Sequence, residues 1–218
     1  MHSDRELLQI EKDMESELEP LLKNIEDADV KSRECNLFKR TYANFETKHK
    51  GSRDARDYLH KGILAKSHNV KDTIQWMLAY LGLVESLGNI MADTLVFLLV
   101  ANGIDFHIES RHSTPRIRHA LNPEELEKEQ VSLATKLNFL KQNGIEKTAL
   151  VINTKLRNDI AHMNIKVKGN VVLIRGQPAK EKTFDNSLRL LHAFNKMREM
   201  LEASANKKGI RKQHEDQT

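Results

Sequence analysis

From Thr73 to Ala101 the chain reads TIQWMLAYLGLVESLGNIMADTLVFLLVA. Apolar residues fall on nearly every side of a 3.6-residue period, so a helix built from it must be surrounded by other helices or by a second subunit. The apolar stretch from Met77 to Ala101 has the length of a membrane span. Glu85, Asn89 and Asp93 interrupt it, however, and an acid at mid-bilayer costs about 3 kcal/mol or more. The expectation is the buried helix of a bundle with no membrane contact. Asp72 or a neighbour caps its start, and Asn102 with Gly103 stops it.

The elements on either side read as helices too. Leu7, Ile10, Met14, Leu18, Leu21 and Ile25 recur at three- and four-residue spacing, an amphipathic helix with a kink or break expected at Pro20. Leu37, Phe38, Tyr42 and Phe45 extend a shorter pattern to about Lys48, and a mixed turn and basic stretch comes after it. Residues 105–122 show no period and carry Arg111, Arg116 and Arg118, which reads as a basic loop able to meet phosphates. Asn122-Pro123-Glu124-Glu125 is a helix start, and Asn143-Gly144 its stop. A helix from about Ile145 to Met163 comes next. Ile165–Lys168 and Val171–Ile174 then flank Gly169-Asn170 as a small hairpin, and a last helix spans about 182–203. The expected organisation is an N-terminal helical extension (1–69) packed on a helical bundle (70–205), with a disordered basic tail (206–218).

The composition agrees with an all-α chain: 39% apolar and 5% aromatic residues, nine glycines and four prolines in 218 residues. Cys35 is the one cysteine, which excludes an internal disulfide and a cysteine-rich zinc framework. No signal or transit pattern opens the chain, so a cytoplasmic location is expected. Net charge is +4, but it is unevenly distributed. Residues 1–30 hold ten acids against three bases, net −7, leaving 32 bases against 21 acids, or +11, for the rest.

Arg157-Asn158-Asp159-Ile160-Ala161-His162 lies in the helix before the hairpin. It resembles the R-x4-H signature of the HEPN superfamily, in its common form with Asn after the Arg and Ala before the His. The resemblance implies an up-and-down helical bundle that dimerises and often cleaves RNA without metal or other cofactor. It also implies toxin, defence or RNA-processing members beside inactive relatives. The partners it implies are RNA, a second copy sharing a composite active site, and an antitoxin or other regulatory protein.

The residue types suit that chemistry independently. When a ribose 2′-hydroxyl attacks its own phosphate, one group must take a proton, another must protonate the leaving 5′-oxygen, and a fixed cation should stabilise the phosphorane. Histidine serves either proton transfer near neutral pH, and arginine presents a permanently charged planar fork. One histidine cannot do both, so a two-fold dimer that pools two copies of His162 is expected. Asn158 and His162, four apart, share a helix face, and Asn158 is placed to orient the imidazole. Arg157 stands about 140° around from His162. The carbonyl end of the helix should favour an imidazolium at His162, suiting a general acid.

Glu85, Asn89 and Asp93, four apart, form a polar stripe expected to face the motif helix, with Glu85 or Asp93 pairing Arg157. His60, His68, His107 and His112 have no metal-ligand spacing, and no glycine-rich phosphate loop is present. The expected function is a metal-independent endoribonuclease. The alternative is an inactive RNA-binding or protein-interaction module on the same bundle.

Overall fold

The computed structural model describes residues 4–51, 70–109, 117–119 and 131–210. Its elements are α1 (Asp4–Asp27), α2 (Arg33–Gly51), α3 (Val70–Leu83), a π-helical turn (Val84–Gly88), α4 (Asn89–Ala101), β1 (His107–Glu109), β2 (Ile117–His119), α5 (Leu133–Gln142), α6 (Glu146–Leu150), α7 (Thr154–Ala161), β3 (Ile165–Lys168), β4 (Val171–Ile174), β5 (Gln177–Pro178) and α8 (Ala179–Lys207). The fold is mainly helical, with a three-stranded antiparallel sheet in the order β3-β4-β5 and a separate β1-β2 pair.

The apolar stretch is one unbroken helical run in which the π turn joins α3 to α4. Every residue from Ile90 to Ala101 is buried, because α2 and α5 pack on α4. Burial is the physical answer to a helix with no polar face. Its end is set by Gly103 at φ +84°. Ile104 N–H donates to Leu99 and Gly103 N–H to Val100, a Schellman stop that only a left-handed residue closes.

The N-terminal helix runs on through Pro20, so no break occurs there: Ile10, Met14, Leu18, Leu22 and Ile25 are all buried, and that packing holds the helix together despite a missing N–H. Its acids grip the far end of the chain. Lys196 pairs with Glu15, Lys207 with Glu26 at 2.9 Å, His192 with Glu11 at 2.9 Å and Lys147 with Asp13 at 2.8 Å. Glu17 accepts the backbone N–H groups of Lys147 and Thr148 at 2.7 and 2.9 Å, capping α6 from another helix. Residues of α1 and α2 belong to the same hydrophobic core as those of α3, α4 and α8.

Three other expectations change. The helix drawn from Ile145 to Met163 is two helices, because Asn153 leaves helical geometry and its side chain accepts the Leu156 N–H. The loop at 105–122 contains the pair β1-β2, with His107 opposite His119 and Ile108 opposite Arg118. The last helix extends to Lys207 and Ile210 is buried, so the tail expected from 206 begins no earlier than 211. Residues 211–218, the mixed stretch at 52–69 and the helix start at Asn122 lie outside the described residues.

Candidate active site on the Arg157–His162 helix

The motif helix α7 is positioned from its first residue. Tyr80 Oη of α3 donates to the Asn153 carbonyl at 3.0 Å, and Asn153 Nδ2 donates to Asn186 Oδ1 of α8 at 3.0 Å. Burial pushes the Tyr80 phenol far above its ordinary range, so it stays a proton donor. Tyr80 and Asn153 are anchors the motif alone did not reveal. The side-chain cap that ends the preceding turn is their local signature.

Arg157 then meets Glu85 in the π turn. Its Nε donates to Glu85 Oε1 at 2.6 Å, Nη2 contacts the same oxygen, and Nη1 donates to Asn158 Oδ1 at 3.0 Å. A guanidinium has five N–H donors. Two of them are hydrogen-bonded and Nη2 adds an ion-pair contact, so donors remain on a side chain that is 34% exposed, and a guanidinium with spare donors can meet anionic oxygens. The Asn158 side chain thus meets the guanidinium, where the four-residue spacing had suggested the imidazole.

His162 closes the helix. It is the C-cap residue at φ −92°, its N–H donates to the Asn158 carbonyl, and its side chain is exposed. Helix α7 ends in another Schellman turn: Met163 N–H reaches Ile160 and Asn164 N–H reaches Asp159 at 2.8 Å. Here Met163, at φ +53°, holds the left-handed position where the other stop has glycine. Strain of this kind is tolerated where surroundings impose it, and it often marks working sites. The chain leaves His162 at the surface and turns at once into β3.

Asp159, in the middle of the motif, turns inward. Its carboxylate takes Arg175 Nε at 2.6 Å and Nη2 at 2.9 Å, and its side chain is only 5% exposed. Arg175 and Gly176, at φ +52° and +79°, form the two-residue turn between β4 and β5. The hairpin is thus bolted to the motif helix. The Arg175 hydrogen bonds hold the Asp159 carboxyl below its usual range. A depressed acid stabilises the fold above its unfolded pKa, near 4, and that stabilisation is lost as pH falls through the lower folded value. Arg175→Met is accordingly expected to destabilise the protein at pH 7. In urea titrations at several pH values the gap to the wild type should close below about pH 4. A gap that stays constant with pH would show that the pair does not carry the effect.

The polar stripe divides. The π turn adds a residue to the local period and rotates the helix beyond it. Only Glu85 meets Arg157, while Asp93 pairs with Lys136 at 2.5 Å and Lys48 at 3.3 Å, and Lys136 also reaches Asn89 Oδ1 at 3.5 Å. Asn89 and Asp93 therefore belong to a buried ionic cluster away from the motif, contrary to the single face expected. A small recess of about 10 Å³ lies beside it, lined by Lys48, Asp93 and Phe97 among others and by no motif residue. Of the three arginines assigned to phosphate binding, Arg118 stands in β2, and Arg111 and Arg116 lie outside the described residues. No cluster of three or more His, Cys, Asp or Glu side chains able to hold a metal occurs among the described residues.

Comparison with known proteins found no match to a family model, to a curated protein or to a solved structure, so any assignment rests on these residues alone.

Proposed function

We propose that the protein is a metal-independent endoribonuclease of HEPN type, in which Arg157 and His162 act on a scissile phosphodiester. The observation that carries this reading is the part-exposed guanidinium held by Glu85 and Asn158, on the short helix that ends at exposed His162. The free donors of Arg157 stabilise charge on the non-bridging oxygens as the 2′-hydroxyl attacks. His162 moves one proton, either from the attacking hydroxyl or to the departing 5′-oxygen. The second transfer falls to His162 of a second copy, so the working form is a homodimer with a composite site.

An exposed surface site leaves room for a groove completed by that second copy. The same openness favours the second reading, an inactive bundle that binds RNA or a regulatory protein. Incubation of the protein with mixed single-stranded RNA in excess chelator separates the two. Fragments ending in 2′,3′-cyclic phosphate are expected. Intact RNA at high protein concentration, with the dimer verified by sedimentation, would reject the enzyme reading.

A further inference from the structure

We propose that the outer face of the β3-β4 hairpin, through Lys166 and Lys168, holds the phosphate backbone of single-stranded RNA beside the motif helix. This inference rests on the ribonuclease reading and adds the surface by which substrate is held. Val172 and Ile174 of β4 are buried against α3 and α8, which sets the inner face of the hairpin. Their register partners Val167 and Ile165 share that face. Lys166 and Lys168, opposite Leu173 and Val171, therefore stand on the outer face. Both are exposed. They lie two residues apart on one strand, about 6.7 Å, a step that an extended nucleotide chain also spans.

Further features support the same reading. The unit from Thr154 to Pro178 carries five bases (Lys155, Arg157, Lys166, Lys168, Arg175) against Asp159, or +4, equal to the charge of the whole chain. Its single acid is occupied by Arg175, and the acid-rich α1 pairs with Lys147, His192, Lys196 and Lys207 in other elements. The placement is also fixed: two residues separate His162 from β3, and the Asp159–Arg175 bridge ties the sheet to α7. A strand seated on the hairpin is thereby led to His162.

Lysines on an edge strand have another use, as guards against pairing with a second sheet, and the measurement must tell the two apart. In a His162→Ala background, which prevents turnover, the affinity for a fluorescent single-stranded RNA 12-mer is followed by anisotropy across salt concentrations. Lys166→Gln/Lys168→Gln is expected to weaken binding about tenfold and to lower the slope of log K against log salt by about 1.4, two contacts at roughly 0.7 each. Lys23→Gln/Lys31→Gln, which removes the same charge at α1 and the turn after it, should leave both unchanged.

An unaltered slope in the hairpin variant, with RNA still bound and still cut by the His162-bearing chain, overturns this proposal alone. So does aggregation of that variant without loss of affinity, the signature of a guarding role or of a protein partner added to β3. Failure of the native chain either to bind or to cut RNA rejects the ribonuclease reading, and this proposal with it.

Discussion

Alanine at His162 is expected to slow cleavage of single-stranded RNA by about 10²–10⁴-fold, the usual contribution of a positioned acid or base. Alanine at Arg157 is expected to cost about 10²–10³-fold, as loss of a preorganised charge at the phosphorane does. Arg157→Lys should not rescue it, because an ammonium cannot bond Glu85 through one edge and offer a planar fork with the other. Glu85→Gln tests the positioning role separately. It keeps a hydrogen-bond acceptor but loses the charge, so a fall in kcat of about tenfold with little change in stability is expected, since exposed ion pairs contribute about 0–1 kcal/mol. Circular dichroism and urea midpoints should match the wild type in all four variants. Unchanged kcat in His162→Ala at full occupancy would remove the imidazole from the mechanism.

The second large effect concerns stability. Asp93 lies between Lys136 and Lys48, with Lys136 only 7% exposed. Asp93→Ala strands an ammonium inside the bundle, at an expected cost of about 3 kcal/mol. The double variant Asp93→Leu/Lys136→Met replaces charge with apolar volume and should recover most of that loss, because a buried pair contributes little net stability over hydrophobic packing. Urea unfolding with comparable m-values is the appropriate measure. A single-variant cost below about 1 kcal/mol would mean that water already solvates the site.

Glycine-marked helix stops were legible in the sequence because they depend on local stereochemistry, whereas the apolar helix begins at Val70, ahead of the expected cap at Asp72. Asn102-Gly103 and Asn143-Gly144 stop their helices where a left-handed residue is needed, and Gly169-Asn170 turns the hairpin in the predicted register. Features imposed by tertiary contact were not legible. Val151 and Ile152 continue the apolar period straight through the break before α7, and the break exists because Asn153 serves Tyr80, Asn186 and Leu156 together. The π turn at Val84–Gly88 leaves no mark on composition either. That an acid in so apolar a helix must find a cation could be read from the sequence. That Asp93 finds its cation in Lys136, 43 positions later, could not.

The pairing of α1 with α8 has a bearing on biosynthesis. The apolar stripe from Ile10 to Ile25 acquires its last neighbour only after about 150 further residues have been made. At ordinary elongation rates this leaves the side that α8 covers open for roughly 8–30 s. The ten acids in the first 30 residues surround that stripe with like charge during the interval, so nascent chains on one polysome repel each other until the bundle can close.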